Sequence, residues 1–183
     1  MQARELLQQA IHIYDNPDIP LADQARNQGW KQGFVSGADW MRSAMSHYRA
    51  TTIPMNNANY QYYGSLKYGL ASIGALAVIG FAIWSSYWIM LPLAVIVFYA
   101  IEAQMVFLFP LLIDGYENPI QQSYQWTRQA GGTIPVMVTV MQLACVMLFG
   151  GFVGQGFVRS WALGCLSVCI WYEELRFAQD RVI

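Results

Sequence analysis

The chain has 183 residues, of which 56% are hydrophobic and only 11% are charged, whereas a soluble domain carries about 25% charged residues. Glu102 is the one charged residue between positions 68 and 113, and Arg159 is the one between positions 132 and 172. This distribution excludes an ordinary water-soluble domain and predicts an all-α, polytopic membrane protein. The net charge of −1 and the scattered basic residues argue against nucleic acid as a partner.

Residues 1–67 are predicted to form a cytoplasmic or interfacial extension of amphipathic helices. Apolar residues recur at helical spacing over positions 2–14 and again from about 21 to 48, with a break at Pro17 and Pro20. The second apolar stripe has two interpretations: it rests on lipid, or it contacts protein, either within the fold or on a partner. Few cations flank it, which favours protein contact, and Met and aromatic residues suit adaptable binding surfaces. The residues expected to bind a partner are Trp30, Phe34, Trp40, Met41 and Met45.

Four apolar segments follow, and each is long enough to be considered as a membrane-spanning helix. Only Ser86 separates the first two, so they are predicted to form a hairpin, and the last two form a second hairpin. The predicted spans are residues 68–85, 87–113, 134–154 and 157–172.

The polar connection between the two hairpins is predicted to contain a short helix over residues 118–130. Asn118 followed by Pro119 is a typical helix start. This helix is expected to lie along the membrane surface, with Ser123 and Thr127 as ordinary hydroxyls on its polar face.

The basic residues predict the orientation. With four spans, residues 1–67, residues 114–133 and a short tail at 173–183 lie on one side and hold nine of the ten Lys and Arg residues. The other side holds only Arg159. Both termini are therefore expected in the cytoplasm.

Glu102 is the most informative polar residue, because it is placed near the middle of the second span. A charged and unpaired carboxylate at that depth costs several kcal/mol, so it must be protonated, paired or facing water. Gln142 of the third span is a candidate hydrogen-bond donor to it, and Gln104 lies two residues further along. These three residues form either a proton- or ion-responsive site or an interhelical hydrogen bond that fixes packing.

The evidence for other chemical sites in the sequence is weak. His12 and His47 lie in separate segments without metal-ligand spacing. Cys165 and Cys169 are neighbours on one helical face within an apolar segment, which favours packing over metal binding. Gly150 and Gly154 fit close helix packing or a tight turn. No metal, cofactor or catalytic group is predicted, and we expect a protein that is not an enzyme.

One region resembles a broad group of uncharacterised polytopic bacterial inner-membrane proteins. An apolar helix ends at Pro110 and Asp114, a short helix starts at Asn118, and the last span exits through Trp171-Tyr172-Glu173. The resemblance covers residues 107–176 at the level of pattern. It implies a bacterial inner-membrane location and no known chemistry.

Two hypotheses for function follow. The first is a non-enzymatic membrane subunit or interaction protein of the assembly, immunity or exclusion type. It would reside in the lipid bilayer and bind another membrane or cytoplasmic protein, or a second copy of itself. The alternative is a small oligomeric transporter or channel subunit centred on the intramembrane carboxylate of Glu102.

Overall fold

The computed structural model describes residues 2–27 and 33–180. All regular structure in these two ranges is helical, which confirms the predicted fold class at this level. A short 3₁₀ turn (Trp88–Met90) precedes the fifth helix, and a π-helical turn (Gly151–Gln155) precedes the ninth. The helices are α1 (Ala3–Tyr14), α2 (Leu21–Asn27), α3 (Phe34–Arg49), α4 (Tyr60–Ser85), α5 (Leu91–Gln104), α6 (Leu108–Ile113), α7 (Pro119–Gln129), α8 (Thr133–Phe149) and α9 (Phe157–Asp180).

Two helical segments within the described ranges are long and apolar enough to cross a membrane. They are α4 and the run Trp88–Ile113, which contains α5 and α6. A third candidate exists only if α7 and α8, which meet at a bend of 98°, count as one span. The predicted arrangement of four spans in two hairpins is therefore not confirmed.

Helices α4 and α5 form a long hairpin whose distal end is apolar and exposed. The side chain of Asn59 accepts a hydrogen bond from the backbone N–H of Tyr62 at 3.0 Å, so α4 begins at Tyr60, well before the predicted start at residue 68. Ser86, in the left-handed conformation, ends α4 and reverses the chain. Trp84 and Ile89 at the tip are 84% and 88% exposed. An apolar surface of this kind suits lipid contact.

The second predicted span is not one continuous helix. Helix α5 ends at Gln104, and α6 begins at Leu108. At this break the carbonyl of Ala103 accepts a hydrogen bond from Thr127 Oγ1 at 2.9 Å, and the carbonyl of Gln104 accepts one from Ser123 Oγ at 2.8 Å. Both hydroxyl residues are fully buried, so the prediction of ordinary surface hydroxyls on α7 is wrong. They replace the hydrogen bonds that the break removes from the helix.

Helix α9 lies in the core, covered by α8 on one side and by α1, α2 and α3 on the other. It continues without interruption from Phe157 to Asp180, so the predicted tail from residue 173 starts within a helix. The side chains of Leu163, Leu166 and Ile170 on α9 are about fully buried. A helix surrounded in this way has little surface left for lipid.

Helix α1 shows why α9 is not simply a fourth lipid-embedded span. Its buried face holds Leu6, Ala10 and Tyr14, whereas Arg4 and Glu5 on its other face are exposed. With α1 packed on α9, placing α9 in hydrocarbon would carry these charges into lipid as well, at several kcal/mol each.

An exposed ion pair joins Asp15, just after the end of α1, to Arg159 of α9. Asp15 Oδ2 lies 2.7 Å from Arg159 Nη2. Such a surface pair contributes little energy, but it places Arg159 beside residues 1–67. The sequence had assigned these two parts of the chain to opposite sides of the membrane.

A buried ion network ties α3 to the end of α6 and to α9. The Arg49 guanidinium donates from both terminal nitrogens to Asp114 at 2.7 Å and from Nε to Glu173 Oε1 at 2.8 Å. The Tyr172 hydroxyl donates to Asp114 Oδ2 at 2.7 Å. Burial opposes the charge on Arg49, but the hydrogen bonds to the two carboxylates outweigh it and raise the pKa of Arg49.

This network predicts that Arg49→Met destabilises the fold by about 3–5 kcal/mol, because it leaves the buried Asp114 carboxylate without its cation and Glu173 with only Arg176 among the described residues, at 3.4 Å. The measurement is the free energy of unfolding in a mild detergent. The matched control is Arg4→Met, which removes an exposed arginine from α1. Equal stabilities of the two variants would contradict the role given to Arg49.

Candidate functional site

A cavity of about 300 Å³ lies where α3, α4, α5, α8 and α9 meet. Most of its wall is apolar, and the α8 and α9 side chains provide the largest part of that wall. Four polar or charged residues from the hairpin also reach it: Gln61, Lys67, Tyr68 and Glu102. Among the apolar lining residues are Met41, Phe109, Val140, Leu143, Ala144, Met147, Cys165 and Val168.

The charged part of the wall is an ion pair between the two helices of the hairpin. Lys67 Nζ of α4 lies 3.5 Å from Glu102 Oε1 of α5, and the two side chains are only 7% and 14% exposed. The ring centre of Tyr68 lies 5.2 Å from Lys67 Nζ, within the range of a cation–π contact. The carboxylate is therefore paired, one of the three states open to it from the sequence.

The two glutamines predicted to share a site with Glu102 lie elsewhere. Gln104 Nε2 donates to Thr133 Oγ1 at 2.6 Å, which connects the end of α5 to the start of α8. Gln142 is exposed on the outer face of α8. The structure therefore separates the predicted trio and gives Glu102 a cationic partner from α4.

The positions of Lys67 and Glu102 in the sequence are consistent with their pairing, but spacing alone does not identify the pair. Lys67 stands nineteen residues before Ser86 and Glu102 sixteen after it. Positions at similar distances from the turn of an antiparallel hairpin come close together. The sequence analysis places Lys67 in the polar extension, because the first span is predicted to start at residue 68. The observed start of α4 at Tyr60 places Lys67 within this helix.

The length of the hairpin also indicates how deep in a membrane the ion pair would lie. The rise from Lys67 to Ser85 is about 27 Å at 1.5 Å per residue, close to the thickness of about 30 Å of a hydrocarbon core. If the exposed aromatic residues Trp84 and Trp88 at the tip lie at one interface, the pair lies near the other interface. It is then at the edge of the hydrocarbon core and not at its middle.

An aromatic row forms the α3 side of the site. The Phe34 ring lies between Tyr68, at 5.6 Å between ring centres, and Phe109, at 6.0 Å. The same ring lies directly over Gly64 of α4, where a Cβ atom would overlap it. Glycine at this position therefore lets α3 approach the hairpin closely.

The residues expected to bind a partner are used inside the chain. Phe34 and Met41 line the cavity. Trp40 and Met45 are about fully buried, and Trp40 Nε1 donates to the carbonyl of Leu21 at 3.1 Å. Trp30 lies outside the described residues. Of the two kinds of protein contact considered for this stripe, burial favours contact within the fold.

The two glycines proposed for helix packing have different roles. A Cβ atom at Gly150 would come within 2.5 Å of Ser160 Oγ, so Gly150 permits a close approach of α8 and α9. Gly154 has φ +86° and open space around it, so it serves the turn between these helices.

Other reactive groups do not gather at the cavity. Within the described ranges no group of three or more His, Cys, Asp or Glu side chains could hold a metal ion. The cysteines are free thiols: Cys165 lines the cavity, Cys169 is buried and Cys145 is exposed. The site therefore offers one ion pair, with the polar side chains of Gln61 and Tyr68 beside it, in a mostly apolar wall.

Comparison of the chain with protein-family models, with curated proteins and with solved structures finds no match in any of the three.

The ion pair predicts a specific pattern of stabilities. Lys67→Met leaves the Glu102 carboxylate without its cation and should lower the free energy of unfolding by about 3 kcal/mol, whereas an apolar replacement of both partners is often neutral. We expect Lys67→Met/Glu102→Met to recover most of the loss, measured by a double-mutant cycle in detergent. A double variant that is as unstable as the single one would show that the two side chains are not coupled.

Proposed function

We propose that the protein is a non-enzymatic integral membrane protein that binds a small apolar or amphiphilic molecule taken from the bilayer. The cavity at the base of the α4–α5 hairpin is the observation that carries this proposal. Its volume of about 300 Å³ is at the lower end of the range of ligand pockets, which are mostly apolar with a few polar groups. The wall of this cavity has that composition.

The proposed membrane arrangement follows from the hairpin. Helices α4 and α5 cross the bilayer, and α1 to α3 and the end of α9 remain on the side from which the hairpin enters. Two crossings return the chain to its starting side, so both termini share it. The basic residues on this side favour the cytoplasm, and the resemblance of residues 107–176 favours a bacterial inner membrane.

Helix α8 adds a lateral contact with lipid in this arrangement. Ile134 and Val138 on its outer face are 71% and 45% exposed, and Phe152 and Val153 in the turn that follows are both 78% exposed. This apolar edge enters the bilayer beside the hairpin. The arrangement replaces four full spans with one crossing hairpin and a shorter apolar edge, and it keeps the polar face of α1 out of lipid.

The ion pair supports binding over catalysis. A general base or nucleophile must be available to a substrate atom, whereas the carboxylate of Glu102 is paired with Lys67. The Lys67 ammonium has three N–H donors, and its contact with one carboxylate oxygen leaves donors that can orient a ligand.

A second candidate is a subunit that binds another membrane protein or a second copy of this chain. The exposed apolar residues of the hairpin tip and of α8 support it, because such surfaces also contact neighbouring helices in a bilayer. The stripe on α3 gives it no support, because it is buried. Deleting residues 1–50 would not test this candidate, since α1 to α3 form part of the core.

A third candidate function is a transporter or channel subunit. The buried carboxylate of Glu102 is the observation that supports it. The Lys67 partner weakens that support, because a carboxylate held in an ion pair is less available to a passing ion or proton. Glu102→Gln removes the charge and keeps the shape. Unchanged ion flux in vesicles containing this variant would reject this candidate.

The ligand-binding proposal predicts that Ala144→Phe, which fills the cavity from α8, reduces the bound amphiphile by about tenfold or more. The protein would be purified in mild detergent, and the bound small molecules would be quantified by mass spectrometry. Val138→Phe places the same side chain on the exposed face of α8 and should leave binding unchanged. Equal amounts in the two variants, or no bound molecule in the unaltered protein, would contradict the proposal.

A further inference from the structure

We infer that the cavity selects an uncharged amphiphile whose head group offers a hydrogen-bond acceptor, such as a ketone or ether oxygen. This inference rests on the proposed binding function and specifies the class of ligand. It is carried by the charge and the hydrogen-bonding capacity of the Lys67–Glu102 pair and by the apolar wall beside it.

The charge balance of the site is the first argument. Lys67 and Glu102 are the only charged side chains among the described residues that line the cavity, and their formal charges cancel. An anionic or cationic head group would leave one uncompensated charge in a largely apolar enclosure, which is costly. A neutral head group leaves the existing pair intact.

The remaining N–H donors of Lys67 are the second argument. The Lys67 ammonium has three N–H donors, and Glu102 Oε1 at 3.5 Å can take at most one of them. The nearby Tyr68 presents its ring face to the ammonium. Donors of Lys67 therefore remain for a ligand, and a head group that contributes an acceptor can use them.

The apolar wall accounts for the rest of the ligand. Leu143, Ala144 and Met147 of α8 line the cavity together with Cys165 and Val168 of α9. An alkyl chain lying against this wall loses contact with water and with the ion pair. The head group of such a molecule then lies towards Lys67, on the hairpin side.

The test uses four competitors that share a ten-carbon chain: 2-decanone, decanoate, decyltrimethylammonium and decane. The full-length protein in lipid nanodiscs is photolabelled with a decyl ketone that carries a diazirine in its chain, and the labelled residues are identified by mass spectrometry. We expect labelling on the α8 and α9 wall. We also expect 2-decanone to displace the probe at a concentration about tenfold lower than any of the other three.

A variant separates head-group recognition from cavity binding. Lys67→Met/Glu102→Met removes both charges and keeps an apolar lining, so wall labelling should persist while 2-decanone and decane become equally effective competitors. Arg4→Met, on the exposed face of α1, should keep the preference for the ketone.

The possible failures are distinguishable. Wall labelling in the unaltered protein with no preference among the four competitors would overturn this inference and leave the proposed binding function standing. Stronger competition by decanoate or by decyltrimethylammonium would overturn it in favour of a charged ligand. An absence of labelling on the α8 and α9 wall would overturn both proposals.

Discussion

The ion pair between Lys67 and Glu102 constrains the hairpin, the cavity and the placement in the membrane. A lone charge at either position would be too costly in an apolar surrounding, so α4 and α5 must pack in the register that brings the two side chains together. This register places the exposed aromatic residues of the hairpin at the far end, about one hydrocarbon thickness away. It also leaves a net-neutral polar spot on the wall of an otherwise apolar cavity.

The Arg49 network follows the same rule. Arg49 pairs with both Asp114 and Glu173, and through them α3 is fixed to the end of α6 and to the core helix α9. This attachment makes α1 to α3 part of the same core as the hairpin base. The polar outer face of α1 then limits which side of α9 can meet lipid. The hairpin remains the part of the chain best suited to cross the membrane.

The sequence predicted the features that depend on local pattern. The uncharged runs on either side of Ser86 indicated the hairpin, and Asn118-Pro119 indicated the short helix that the structure places at Pro119–Gln129. Helical periodicity also identified the apolar stripe of α3. Periodicity shows which face of a helix is apolar but not what covers it, so the stripe could not be assigned to the core in advance.

The features that the sequence did not predict depend on contacts between distant positions. The break after Gln104 is tolerated because hydroxyls of Ser123 and Thr127 fold back onto it. Arg159 meets Asp15 only because α1 packs along α9. Counting basic residues on each side of the assumed spans could not detect that contact, since the count takes the spans as given. Lys67 was missed as the partner of Glu102 for a related reason, namely the early start of α4.

The most direct test of the account is an experimental structure of the protein in lipid nanodiscs, at a resolution that shows side chains. The account predicts elongated non-protein density in the cavity, against the wall formed by α8 and α9, with its polar end within hydrogen-bond distance of Lys67 Nζ, and lipid density around the α4–α5 hairpin. A cavity closed by collapse of the surrounding side chains, with Lys67 and Glu102 apart, would contradict it.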